Sequence, residues 1–357
     1  MFSNSYPEAR DRFLRSARRA GATTRCEHHT TAVGPDGESL HLDAAWLGPV
    51  NAGRVLVVCS GTHGIEGYAG SAVQTAWLER FRGRLPQNTA VLLLHAINPW
   101  GFAHRMRVTE ENVDLNRNFV DHMAPYPVNP GYAALHHALA VSEATETALE
   151  TAFAALEQFR AAHGEQAYSD AVNGGQYSHP DGLFFGGHRA QWSNGAFRRL
   201  LRAATGEVRR AAIIDLHTGI GPNGNHVFLC FHAEDSPARA RARAWWGERA
   251  TNRDGVTHTA VARYSGLLVD AFTAELPQAE TTAVVVEFGT RERREMQRAH
   301  IGANWLMRRR GRPDAAAAAV HSEFCEAFIP SAPEWREAVL HQGQEVIDKG
   351  ISGIGSS

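Results

Sequence analysis

A chain of 357 residues, 43% hydrophobic and 21% charged, has the profile of a soluble globular protein, long enough for two ordinary domains or one large α/β unit. Its 36 basic and 38 acidic side chains leave a formal net charge of −2, which offers neither a long-range field nor a basic block to gather nucleic acid or a membrane surface. Lys349 is the sole lysine, which excludes a GxxxxGK[ST] phosphate loop and Schiff-base chemistry.

Pro7 to Ala20 has helical spacing, with Phe13, Leu14 and Ala17 on one side and Gly21 as the C-cap. Thr30 to Leu47 alternates around a Gly-Pro-Asp-Gly turn at 34–37, the pattern of a hairpin. The apolar run Arg54 to Ser60 then reads as a strand buried on both faces, followed by a glycine-rich loop (61–67) and a helix to Phe81. Ala90 to Ile97, Ala211 to Leu216 and Ala283 to Phe288 are further buried strands. Such alternation predicts an α/β fold: three layers, α/β/α, around a mostly parallel mixed central sheet.

Between the second and third of these strands, Leu139 to Ala162 is alanine- and glutamate-rich and predicted helical, while 173–194 is rich in glycine, aromatic and polar residues. We read 139–194 as an insertion within a single catalytic domain spanning 1–357, folding over the active site. The tail from Lys349 is small and polar and is expected to fray. The N-terminus lacks an apolar leader core, and the cysteines Cys26, Cys59, Cys230 and Cys325 are dispersed without a CxxC pair, so a reduced, cytoplasmic protein is expected.

In parallel sheets ligands sit beyond the carboxyl ends of the strands. There the chain places His63 and Glu66, then Asn98, then His217, then Glu287. A hydrolytic zinc site needs three nitrogen or oxygen ligands and an open position. His63 and Glu66, an HxxE pair flanked by glycines, with His217 from another strand end, can supply them. The competing reading has His63 capping the following helix and Glu66 favouring its first turn. Asp215, on the same strand face as His217, either orients an imidazole or binds backbone amides. Glu287 closes a wholly apolar strand, which requires a partner or a function. Asn116 and Arg117 offer an amide and a forked guanidinium suited to a carboxylate.

Taken together, GTHGIEG, NPWGFAHRMR, VDLNRNF, DLHTG and VVVEFGT resemble the zinc carboxypeptidase superfamily, which includes aspartoacylase and succinylglutamate desuccinylase, and within it the branch known as domain of unknown function 2817. GQYSHPDGLFFGG, residues 175–187, resembles that branch specifically. The resemblance implies one zinc ion on His63, Glu66 and His217, with Glu287 as general base and acid and Arg107 polarising the oxyanion. It also implies Asn116 and Arg117 binding a substrate carboxylate, and Tyr264 closing over the substrate. Because the gap between Glu66 and His217 is longer than in digestive carboxypeptidases, the expected substrates are small N-acyl amino acids, dipeptides or related amides. A strict carboxypeptidase, an esterase and a non-catalytic binding module are the alternatives. The expected partner is a small molecule or short peptide, with no nucleic acid and no membrane, and self-association is left open.

Overall fold

A computed structural model describes residues 1–251, 261–309 and 314–356. Helix α1 (Tyr6–Arg19) is capped by Ser5, ends on Arg18 and Arg19, and buries Tyr6, Ala9, Phe13 and Ala17. The hairpin is β1 (Thr23–Val33) and β2 (Ser39–Leu47), its first strand starting earlier than the alternation indicates. There follow β3 (Arg54–Ser60), α2 (Gly67–Arg80), β4 (Thr89–His95) and the short α3 (Pro99–Ala103). Helices α4 (Pro130–Leu139), α5 (Glu146–Asn173) and α6 (Trp192–Ala204) precede β5 (Arg210–Thr218). The chain ends with β6 (His226–Leu229), α7 (Pro237–Trp246), α8 (Leu268–Glu275), β7 (Glu280–Phe288), α9 (Arg293–Arg308), α10 (Ala315–Phe328) and α11 (Pro333–Gly355).

The seven strands form one sheet in the order β1-β2-β4-β3-β5-β7-β6. β4, β3, β5 and β7 are parallel, and the edges pair antiparallel. Strand alternation sorts the core into two layers. Leu56, Val58, Ala212, Ile214, Val284 and Val286 face a cluster that includes α1, α2 and α11. Val55, Val57, Ala211, Ile213, Ala283 and Val285 face α6 and α8. Asp215, His217 and Glu287 continue this second row beyond the apolar core. Among the described residues no helix is long and apolar enough to cross a membrane.

Two expectations are corrected. The helix expected over 139–162 is divided: α4 ends at Leu139, and α5 begins at Glu146 under a Thr145 cap and runs past a non-helical Gly164 to Asn173. Its outer face is tied to α9 by Arg293–Glu165, Arg294–Glu150 and Arg298–Glu146 pairs at 2.7–2.8 Å. Nor does the tail fray. In α11 Gly350 packs against Leu56 and Trp246 and Gly353 against Trp245, so small residues that suggested a loose end instead allow close helix packing.

His95, at the end of β4, is fully buried, stacks on Phe13 at 4.5 Å and bonds the Ser71 hydroxyl at 2.8 Å. Burial pushes its pKa down to about 3. The unfolded chain therefore takes up a proton near its ordinary pKa of about 6.5 that the native state refuses, so this contribution to stability is present above that pH and is lost on acidification. Between pH 7 and pH 5 the native protein is expected to lose about 2 kcal/mol more than His95→Gln, as read by urea unfolding. Equal losses in the two proteins would contradict this.

Candidate metal centre

The loop after β3 is shaped by two glycines. Gly61 has φ +69°, and Gly64 lies so close to Gly101 that a Cβ would fall 2.0 Å from the Gly101 carbonyl carbon. Its amides donate to the Arg107 and Met106 carbonyls at 3.0 and 2.9 Å, which joins this loop to the Arg107 segment. Neither His63 nor Glu66 makes a side-chain cap; both turn inward and are 4% and 1% exposed. On the sheet, His217 of β5 lies opposite Glu287 of β7 in parallel register.

Donor atoms of three side chains converge. His63 Nδ1 is 2.9 Å from Glu66 Oε1, His217 Nδ1 is 2.9 Å from Glu66 Oε2, and the two Nδ1 atoms are 3.0 Å apart. The outward nitrogen of His217, Nε2, donates to Asp215 Oδ2 at 2.7 Å, and the Thr62 hydroxyl donates to the other oxygen of Asp215 at 2.7 Å. Asp215 thus orients the imidazole. With Nε2 protonated, Nδ1 faces the second imidazole and a carboxylate, a pocket that favours positive charge, whether a second proton on the ring or a metal ion. His63 Nε2 lies 3.2 Å from Asp114 Oδ1 and 2.7 Å from the Arg107 guanidinium, so of the two rings His217 has the better-defined tautomer.

The charge balance points the same way. Four buried carboxylates, Glu66, Asp114, Asp215 and Glu287, face two guanidiniums, Arg107 and Arg117, and the readily protonated His217, an excess of one negative charge when all are ionised. Burial would raise Glu66, but His63 and His217 outweigh it and hold the carboxyl below its ordinary range. Burial likewise opposes protonation of His217, yet Asp215 and Glu66 hold its pKa well above the usual value. Two imidazole nitrogens and one carboxylate suit a divalent ion of the zinc type. Among the described residues this is the one His/Cys/Asp/Glu group so arranged.

Glu287 is 7% exposed, and among the described residues its Oε2 has no hydrogen-bond partner. Burial, reinforced by Glu66 and offset by His217, pushes its carboxyl up to about 7. Among the described residues no arginine forms an ion pair with it. Arg107 donates to Glu66 Oε1 at 2.8 Å and to Asp114 Oδ2 at 3.1–3.2 Å. The Asn116 oxygen accepts from the Leu268 amide at 2.9 Å, while its nitrogen lies 3.4 Å from His217 Nε2, itself a donor to Asp215. Arg117 is 4% exposed and donates to the Asn116 and Asn173 carbonyls, each at 2.7 Å, while its Nε has no partner among the described residues. The Tyr264 ring covers this guanidinium at 4.6 Å.

Sequence reasoning passed over Asp114, which lies inside the VDLNRNF run but is fully buried between His63 and Arg107. The signal available was an acidic residue close to two candidate site residues, and spacing alone could not aim it. Phe184 was also passed over. It adopts φ +51° and lies against both Arg107 and Arg117, with ring centroids 5.4 and 5.7 Å away.

A family model described as Protein of unknown function (DUF2817) matches residues 2–342. Among solved structures, the chain is similar to carboxypeptidase A from Helicoverpa armigera, at 13% identity, covering 99% of this chain and 74% of that one with a TM-score of 0.53. A protein from Shewanella amazonensis SB2B, provisionally described as a metallopeptidase, aligns at 15% identity over 91% and 94% of the two chains, with a TM-score of 0.44. Murein-tripeptide amidase MpaA from Escherichia coli O157 aligns at 14% identity over 81% and 93%, with a TM-score of 0.37. No curated protein sequence matches the chain. The first of these likenesses shows a shared fold.

Proposed function

The chain belongs to the DUF2817 family and has the fold of carboxypeptidase A, and from that footing we propose that it is a zinc-dependent hydrolase of amide bonds in small carboxylate-bearing substrates. The observation that carries this reading is the convergence of His63 Nδ1, His217 Nδ1 and the Glu66 carboxylate beside the unpartnered oxygen of Glu287.

His63, Glu66 and His217 would hold the ion. When bound, it supplies Lewis acidity, which favours ionisation of water and polarises a carbonyl. Glu287 takes the proton from the attacking water and delivers it to the departing nitrogen, so one amide and one water give a carboxylic acid and an amine. Its elevated pKa suits a group that must both accept and release a proton near neutrality. Arg107 opposes the charge that develops on the carbonyl oxygen. Asp215 and Asp114 hold the imidazoles in orientation.

Substrate size rests on the insertion. Gly175 packs so closely on Arg117 that a Cβ would meet its side chain at 2.4 Å, and Tyr177 donates to the Arg117 carbonyl at 2.5 Å. We assign 139–194 to the same catalytic domain as a wall that restricts the site to N-acyl amino acids, dipeptides and similar amides. Asn116, Arg117 and Tyr264 are assigned the recognition of a substrate carboxylate.

The test is hydrolysis of N-acyl amino acids and dipeptides alongside their C-terminally amidated counterparts and matching esters. Free-carboxylate amides are expected to react roughly 100-fold faster than amidated ones, in line with loss of a charge-assisted contact. A chelator should abolish turnover and zinc restore it. Equal rates on amidated substrates would remove the role given to Arg117, and no turnover across the panel would count against the enzyme reading.

A further inference from the structure

The segment after α5 has glycine at 182, 186 and 187 but phenylalanine at 184, where the backbone is left-handed at φ +51°. A bulky side chain rarely adopts that conformation, and it persists only where the surroundings fix it. The Gln176 amide donates to the Phe184 carbonyl at 3.1 Å, the Gln176 side chain to the Leu183 carbonyl at 3.2 Å, and the Asp114 amide to the Phe185 carbonyl at 2.8 Å. Phe184 is thereby tied to the same aspartate that lies between His63 and Arg107. Its ring, 7% exposed, reaches both guanidiniums of the site, with its centroid 5.4 Å from that of Arg107 and 5.7 Å from that of Arg117. The two cations differ in their other partners. Arg107 is ion-paired with Glu66 and Asp114, whereas Arg117 donates to two main-chain carbonyls and, among the described residues, has no ion pair. An aromatic face attracts a guanidinium without supplying a formal charge, so it seats Arg117 and leaves the charge for an anionic ligand. A carboxylate in the same place would neutralise it.

We infer that Phe184 is a positioning residue, whose ring holds Arg107 and Arg117 in the relation that lets one meet the carbonyl oxygen and the other the carboxylate of the same substrate. The inference rests on the amide-hydrolase reading and adds to it a residue of the insertion that acts through the two arginines. Tyr264 shares the seating of Arg117, but among the described residues Phe184 is the ring that lies over both. Weakening the attraction of its face loosens both cations. At Arg117 the loss falls on carboxylate binding, and at Arg107 it falls on turnover.

The experiment changes the electrostatics of the ring and keeps its shape. Phenylalanine carrying one, two or three fluorines is installed at position 184 of the full, zinc-loaded chain, because fluorine withdraws electron density from the ring face and weakens its hold on a cation. Calorimetry compares 4-methylpentanoate with 4-methylpentanamide, and initial rates compare N-acetyl-leucine with N-acetyl-leucinamide. The binding preference for the carboxylate is expected to fall stepwise with fluorine number, about tenfold in all, and Phe184→Leu should lose as much. Arg117→Gln should abolish the preference. On N-acetyl-leucinamide, where Arg117 meets no carboxylate, kcat should fall in the same order through Arg107. A preference unmoved by fluorination but removed in Arg117→Gln would overturn the inference, as would a constant kcat on N-acetyl-leucinamide. Losses that track a lowered unfolding temperature or missing zinc instead of fluorine number would overturn it too, leaving the ring as packing. A preference that survives in Arg117→Gln would overturn the carboxylate role of Arg117 and the inference with it. No turnover of either substrate would overturn the enzyme reading alone, since the binding ratio still tests Phe184.

Discussion

Replacing Glu287 with glutamine is expected to lower kcat/KM by about 10²- to 10⁴-fold, the range of a lost general base, while metal stoichiometry stays at one. The substitution keeps the shape of the side chain and removes only its ability to carry a proton. Glu287 follows the buried apolar run Ala283 to Val286, and its Oε2 has no hydrogen-bond partner among the described residues, so little packing depends on its charge. It lies opposite His217 across the β5/β7 pairing but outside the convergent donor set, so the ion should remain. Unchanged turnover in the glutamine variant would remove Glu287 from the reaction. Loss of metal with loss of turnover would make it part of the ion site instead.

The second large effect is expected at the ion itself, as a graded series. His217→Ala should fail to retain zinc through dialysis, because it deletes one of three donors whose atoms lie within about 3 Å of one another. Asp215→Asn and Asp114→Asn should each weaken zinc binding by about 10- to 100-fold without abolishing it, since they hold imidazoles rather than the ion. Competition against a chromogenic chelator measures all three. Asp215→Asn losing as much affinity as His217→Ala would mean that the aspartate is itself a ligand. No loss in any variant would place the ion elsewhere.

The parts of this architecture that sequence made legible were those governed by local physics. Apolar runs marked β3, β4, β5 and β7, and the polar residues ending those runs marked the site, because a polar group after a buried strand needs a reason to be there. The GTHGIEG and DLHTG runs led to His63, Glu66 and His217, which the fold brings together from β3 and β5. What escaped was set by tertiary contact. The short edge strand β6 has no strong pattern of its own and, among the described residues, pairs with β7 alone. Asp114 and Phe184 acquire their roles from neighbours on other elements. The glycines of α11 read as a loose tail until Trp245 and Trp246 are found against them. Of the 19 histidines in the chain, several pack on other rings: His29 lies against Trp192, His95 on Phe13, His104 on Trp100 and His136 on His179. These rings serve as flat, partly polar packing groups, whereas two histidines form the centre.

The most direct test of a zinc hydrolase built on this triad is anomalous diffraction at the zinc edge from crystals of the zinc-loaded protein. The account requires one strong peak about 2.0–2.1 Å from the Nδ1 atoms of both His63 and His217 and within coordination distance of the Glu66 carboxylate. A peak on other residues, coordination through Nε2, or no peak between these three side chains would contradict it.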